Sequence, residues 1–437
     1  MKTLIAVLTA GLLLLGPAPA RAGLLGGGLP SLPIQLPPRL IDPLRQDTQR
    51  LRDSVDALAS PLDLHELGNA LIERHPHELA RDPAGQLIVR AELLALPSDD
   101  AARARVLALP GVALIEDTPL DGLDLHWLRL HADTRLLAQL RALDPAGEYD
   151  YEHVYLPSGT PAAAPFAARA AAAAATTSTA IAAASAAGGT AALRVGLIDT
   201  GIAAHAALDQ ADIQRAGCAD GAKHAAAHGT AVASLLVGHE GRFAGVLPGA
   251  QLFAADAYCD AADGGSVQRV AQGLAWLARA HVGVVNVSLV GPPNLLLQRA
   301  VAAAQARGML IVAAVGNDGP AAPPLYPAAW PGVIGVTGVD THERVLPEAG
   351  RGPQVAFAAP GSELWGAAAD GGYAALRGTS FAAPLVAGLL ARAAAETGSN
   401  AAALERLRAS AVDLGAPGRD DVYGWGLVGT ALRTRRP

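Results

Sequence analysis

The chain has 437 residues, of which 51% are hydrophobic and 4% aromatic, and its formal net charge is −7 at pH 7. That length allows two or three domains around a sizeable core. No basic block and no basic stripe interleaved with aromatics occurs, so composition argues against a nucleic-acid partner.

Residues 1–22 carry Lys2, an apolar run from Leu4 to Leu15 and the small-residue site Ala20-Arg21-Ala22. This is the pattern of an export signal cut after Ala22. The run is short for a membrane span, and no later stretch offers about 20 apolar residues free of charge. The mature form is expected to be exported, to the periplasm or the medium, without a membrane anchor. Residues 23–84 begin rich in Gly, Pro and Leu and turn amphipathic and helical over 44–80. His75 and His77 flank a proline there and, lacking partners at ligand spacing, read as surface residues.

Over 85–157 the pattern runs strand, helix, strand, strand, helix, strand, through GQLIVRAELLAL, SDDAARARVLAL, GVALIEDTPL, GLDLHWLRLHA, DTRLLAQLRAL and YDYEHVYLP. That order fits a small ferredoxin-like α+β domain. Residues 158–191 are almost all Ala with Thr, Ser and Gly, interrupted by Pro161, Pro165, Gly188 and Gly189, and predict an exposed, cleavable linker.

Residues 192–437 alternate short apolar strands with helices. The strands are expected at 193–199, 251–258, 282–290, 308–317, 332–339 and 354–361, and the helices at 228–238, 266–280, 295–307, 380–396 and 400–411. The pattern predicts an α/β domain, a doubly wound, mostly parallel sheet covered on both faces. Such sheets bind ligands at the carboxyl ends of their strands.

Four polar residues fall at that rim. Asp199 ends a strand in GLIDTG, His228 opens a helix in HGTAVA, Asn317 follows a strand in AAVGN, and Ser380 opens the last long helix in GTSFAAP. A helix N-terminus favours a developing anion, although a serine there also reads simply as an N-cap. Serine is a weak nucleophile until an imidazole takes its proton, and a buried carboxylate fixes the imidazole tautomer. An amide such as that of Asn317, with a backbone N–H, suits an oxyanion.

The order Asp, His, Ser in these local sequences resembles the subtilisin-type (subtilase, S8) serine peptidases. The resemblance covers residues 193–431, through the Asp motif, H-G-T-x-V-A at 228–233, A-A-V-G-N at 313–317, G-T-S-x-A-x-P at 378–384 and the closing VYGWGLVG at 422–429. It implies a serine endopeptidase with Asp199, His228 and Ser380 as triad and Asn317 as oxyanion donor. It also implies protein or peptide substrates, no required cofactor, and residues 85–157 as a propeptide that inhibits the domain until removed.

NVSLVGP resembles the family's substrate-pairing strand, which assigns Ser288, Leu289, Val290 and Gly291 to substrate binding; Gly264, Gly265 and Ser266 resemble the opposite rim. Gly316 and Leu325 belong by resemblance to the pocket for the residue before the cut bond (P1). Val290 stands where a glycine is usual, and Leu325 where a small residue often precedes Tyr-Pro-Ala. Both add bulk, so a small P1 residue is expected. The segment GHEGRFAGV is too short for the calcium loop many relatives carry, which leaves Asp256, Asp260 and Asp263 as conceivable calcium ligands, better read as solvated carboxylates. Cys218 and Cys259, the two cysteines of the chain, could form one disulfide in an oxidising compartment.

Rival readings fail on named residues. Asp199-Thr200-Gly201 would suit an aspartic peptidase, but no second Asp-Thr/Ser-Gly occurs. His224 and His228 have helical zinc spacing without the glutamate base, and Ser380 lacks the second glycine of G-x-S-x-G. A non-catalytic peptide-binding fold and a narrow processing protease remain as alternatives.

Overall fold

The structure is a computed structural model that describes residues 64–161, 193–218, 224–259 and 261–435. The export signal, most of the Ala-rich segment and Asp260 lie outside the described residues.

The chain begins with helix α1 (Leu64–Arg74) and strand β1 (Leu79–Arg81), which pairs with the first residues of β2 (Leu87–Leu96). There follow α2 (Asp100–Leu107), β3 (Val112–Leu120), β4 (Leu125–Ala132), α3 (Leu137–Leu143) and β5 (Glu148–His153). All pairings are antiparallel, with β4 between β2 and β3 and with β5 on β2. This is the order of a ferredoxin-like unit. The unit starts earlier than residue 85, because Leu67 and Leu71 of α1 close one small core with Leu79, Leu87, Val89, Val154 and Leu156. The chain then gives two short strands, β6 (Leu156–Pro157) and β7 (Thr160–Pro161).

The second unit is built on β8 (Arg194–Asp199), β9 (Asp212–Ala216), α4 (Ala227–Val237), the hairpin β10–β11 (His239–Glu240 and Phe243–Ala244) and β12 (Gln251–Asp256). It continues through α5 (Val267–Arg279), β13 (Val284–Val287), β14 (Leu289–Val290), α6 (Leu295–Ala306), β15 (Leu310–Ala314), β16 (Ile334–Val339) and β17 (Val355–Pro360). Hairpin β18–β19 (Leu364–Ala367 and Tyr373–Arg377) leads into α7 (Thr379–Thr397) and α8 (Asn400–Ser410). The seven-stranded sheet has the order β17-β16-β15-β13-β8-β12-β9, parallel throughout.

Successive residues of β8 explain why its run is apolar without alternation. Val195 and Leu197 share one core with Leu235 and Leu236 of α4, Leu385 and Val386 of α7 and Leu407 of α8. Ile198 joins Val270, Leu274 and Leu277 of α5 and Leu297 and Val301 of α6 on the other face. A strand covered on both sides has no polar face. The expected doubly wound, mostly parallel α/β sheet therefore holds, with β9 and β18–β19 added. The sequence hid these strands: β9 (DIQRA) is polar, with exposed Asp212, Gln214 and Arg215, and the hairpin strands are only 4 and 5 residues long.

The antiparallel sheet lies against α5 and α6, since Leu94, Leu120, Leu123 and Trp127 belong to the same apolar core as those helices. Polar contacts fix the docking. Glu152 Oε1 accepts from Gln268 N at 2.9 Å at the start of α5, and Asp150 Oδ2 accepts from Leu295 N at 2.8 Å at the start of α6. The carboxyl oxygens there accept from N–H groups that a helix start leaves free. Gln268 Oε1 also accepts from Trp127 Nε1 at 2.8 Å, and its Nε2 donates to Thr118 Oγ1 at 2.7 Å.

Candidate active site

Asp199 is the last residue of β8, and Ser288 and Asn317 follow β13 and β15, all at the carboxyl edge of the sheet. His228 is the second residue of α4 and Ser380 the second of α7. Asp199 Oδ1 receives Thr200 N and faces His228 Nδ1, each at 2.7 Å. Both residues are buried, and the Asp199 carboxylate fixes the tautomer with the proton on Nδ1 and Nε2 free to act as base. Among the described residues, Nε2 has no hydrogen-bond partner.

Ser380 reaches its place through Gly378, whose φ of 135° lies outside the range open to side chains. A Cβ on Gly378 would also sit 3.1 Å from Gly159 Cα and 3.2 Å from Asn317 Nδ2. The turn is clamped from two sides. Asn317 Oδ1 accepts from Thr379 N at 3.1 Å, and Thr379 Oγ1 accepts from Gly316 N at 3.2 Å. Pro384 stands at the sixth residue of α7. Its missing N–H leaves the Ser380 carbonyl without a helical donor, and Ser288 Oγ takes that role at 3.0 Å. Ser380 Oγ in turn donates to the Ser288 carbonyl at 3.2 Å.

The surface in front of Ser380 is occupied by the chain itself. Tyr155 N donates to Gly265 O at 2.8 Å on one rim, while Leu156 and Pro157 pair antiparallel with Val290 and Leu289 on the other. Ser158 N reaches the Ser288 carbonyl at 3.3 Å, the same acceptor that Ser380 Oγ uses. Beyond it, Thr160 and Pro161 pair with Arg377 and Leu376 of β19. The Ser158–Gly159 peptide thus lies between two registered strands, over Gly378 and beside Ser380. Residues 158–161 are part of this strand and not of the linker, because backbone pairing on both sides holds them. Asn317 Nδ2 donates to Ser158 Oγ at 2.8 Å.

Tyr155 is fully buried, its hydroxyl on Pro292 O at 2.5 Å and its ring so close to Gly291 that a Cβ there would lie 2.8–3.0 Å from ring carbons. Leu325 covers Gly316, its Cδ1 only 2.5 Å from where a Cβ on Gly316 would be. Val290 and Leu325 line a cavity of about 220 Å³ that Leu64 of α1 and Leu156 also border. Ser266 is buried beside Gly264 and Gly265 on the opposite rim. Cys218 and Cys259 are joined, their Cα atoms 5.5 Å apart. Asp256 accepts from Tyr258 N and Cys259 N, and Asp263 pairs with Arg269 and, at 3.7 Å, with Arg129. His224 lies outside α4, ahead of it in the chain.

Tyr155, Ser158 and Thr379, which the structure brings around Ser380, carry no assignment in the sequence reading. Thr379 sits inside a motif and was open to notice. The others depend on pairings between residues more than 100 positions apart, for which no local signal exists.

The model of the subtilase family matches residues 190–426, more than half of the chain. The minor extracellular protease Epr of Bacillus subtilis (strain 168) is 34% identical over 244 residues, covering 54% of this chain and 37% of that protein. Subtilisin Savinase of Lederbergia lenta is 32% identical over 255 residues, covering 56% of this chain and 91% of that protein. The chain therefore spans little more than a third of Epr and nearly the whole of Savinase. Among solved structures, fervidolysin from Fervidobacterium pennivorans, a keratinolytic enzyme related to subtilisin, aligns with a TM-score of 0.63. It does so at 20% identity over 82% of this chain and 62% of its own, a likeness of fold. With a family match over residues 190–426, the chain belongs to the subtilases.

Proposed function

We propose that the protein is an exported serine endopeptidase, made as a precursor that cuts its own Ser158–Gly159 bond. One observation carries this reading: residues 155–161 lie in β-register on both sides of Ser380, with Ser158 N on the carbonyl that the Ser380 hydroxyl also contacts. A peptide held between two strand edges gains main-chain hydrogen bonds whatever its side chains.

In the reaction His228 Nε2 takes the proton of Ser380 as Oγ bonds to the Ser158 carbonyl carbon. Asp199 holds the imidazolium that forms. The oxyanion on Ser158 is met by the backbone N–H of Ser380 and by Asn317 Nδ2, which turns to it from Ser158 Oγ. Collapse breaks the Ser158–Gly159 bond, and His228 gives its proton to the departing Gly159 amine. Water, deprotonated by His228, then releases Ser158 as a carboxylate and restores Ser380.

Leu325 over Gly316 leaves room for a small P1 side chain, which Ser158 satisfies. The domain that ends at Ser158 keeps its core with α5 and α6 after the cut, and so acts as an inhibitor until removed. The test is hydrolysis of acetyl-Tyr-Leu-Pro-Ser-p-nitroanilide by the wild type and by Ser380→Ala. Release of p-nitroaniline by the wild type alone supports the reading. No release by either would place the protein among non-catalytic peptide-binding folds.

A further inference from the structure

Four residues before the proposed cut, the carbonyl of Tyr155 needs a donor, since it lies in the buried strip between the two rims. The rim residue opposite it does not supply one. Gly265 accepts from Tyr155 N at 2.8 Å, but its own N–H is turned away and donates to Ala257 O at 2.7 Å. That turn uses a φ of +81°, and a Cβ on Gly265 would lie 2.2 Å from the Tyr155 carbonyl oxygen. The donor comes from a side chain: Tyr258 Oη reaches Tyr155 O at 2.5 Å.

From this geometry we infer that Tyr258 is a substrate-binding residue, whose hydroxyl replaces a rim backbone N–H as the donor to the P4 carbonyl of peptide substrates. The inference rests on reading residues 155–158 as the P4–P1 stretch of a substrate.

Its surroundings fix Tyr258 for that task. Asp256 Oδ1 accepts from Tyr258 N at 2.8 Å and from Cys259 N at 3.0 Å, and the Cys218–Cys259 disulfide ties the next residue to the loop after β9. Ala257 N donates to the carbonyl of Asp199 at 2.9 Å, which joins this short segment to the end of β8. The ring supports the rim from below, within 2.8 Å of where side chains on Gly264 and Gly265 would begin. Burial, with Asp199 and Asp256 nearby, pushes the phenol well above its ordinary range, so the hydroxyl keeps its proton across neutral and mildly alkaline pH. Since the contact is to a carbonyl, it selects for length of the peptide and not for the P4 side chain.

Tyr258→Phe removes the donor and keeps the ring. The experiment measures kcat/KM of the wild type and the variant on three p-nitroanilides. Acetyl-Tyr-Leu-Pro-Ser- has a P4 residue, acetyl-Leu-Pro-Ser- places its acetyl carbonyl at the P4 position, and acetyl-Pro-Ser- has no carbonyl there. A buried acceptor left without its donor lowers kcat/KM about tenfold. That loss is expected on the first two substrates, with the third unchanged. An equal loss on all three would make Tyr258 a structural support only, and no loss on any would remove its role. Failure of the wild type to cleave any of them would instead overturn the peptidase reading, and this assignment with it.

Discussion

Replacing Glu152 by glutamine in the Ser380→Ala chain tests how the two units are held together. Glu152 is fully buried where the antiparallel sheet meets the first turn of α5, and burial raises its carboxyl from 4.5 to about 8. The contact to Gln268 N works against that rise without cancelling it. A carboxyl raised on folding is protonated in the folded chain and ionised in the unfolded one over that interval. Its stabilising contribution is therefore complete below pH 4.5 and is lost as pH climbs through about 8, a change of roughly 5 kcal/mol. Glutamine keeps the acceptor oxygen and cannot ionise. Heat or denaturant midpoints of the two chains, followed from pH 5 to 9, are expected to diverge, with the Glu152 chain falling and the glutamine chain nearly level. Glu92, also raised by burial and partly offset by Arg129, leaves a small residual slope. Parallel curves, or a glutamine chain less stable at every pH, would mean instead that Glu152 is ionised and held by the helix dipole.

Three further outcomes follow from the site. Asn317→Ala removes the side-chain oxyanion donor and is expected to lower kcat by about 10²- to 10³-fold with little change in KM, read from steady-state turnover of a tetrapeptide p-nitroanilide. Ser158→Phe places a ring against Leu325 and Gly316, and the precursor is expected to remain uncut at this bond on a gel, whereas Ser158→Ala is processed. Asp150→Ala takes the carboxylate from Leu295 N, a loss of about 1 kcal/mol by analogy with a helix cap, and the cut N-terminal fragment is expected to leave the second unit faster in size-exclusion chromatography.

Much of the second unit could be read from sequence because its strands are buried on both faces and its helices lie between them, so runs such as VVNV and LIVAA mark the strands, although these cover only 284–287 and 310–314 of the expected 282–290 and 308–317. Asp199, His228, Asn317 and Ser380 were legible for a different reason. Each sits at the end of an apolar strand or the start of a helix, and Asn317 and Ser380 follow glycines of positive φ, Gly316 and Gly378, which the local motifs record. The substrate strip was not legible. Whether YLPS lies in a cleft depends on its register with residues 264–266 and 288–290, and no local pattern encodes a pairing across more than 100 residues. Tyr258 is hidden in the same way, since a tyrosine after an apolar strand looks like core until the carbonyl it faces is known. The boundary of the first unit moved from 85 to 64 because α1 carries only four core-facing leucines and isoleucines, a weak signal beside the stronger strands that follow.

Whether Ser380 cuts the chain between Ser158 and Gly159 is read from the N-terminus and intact mass of the exported wild type beside Ser380→Ala. The wild type should yield a fragment beginning at Gly159, or trimmed further within the Ala-rich segment, paired with an N-terminal fragment ending at Ser158. The Ser380→Ala chain should remain joined across that bond. A wild-type chain intact at Ser158–Gly159, or the same cut in both proteins, would contradict cleavage by Ser380.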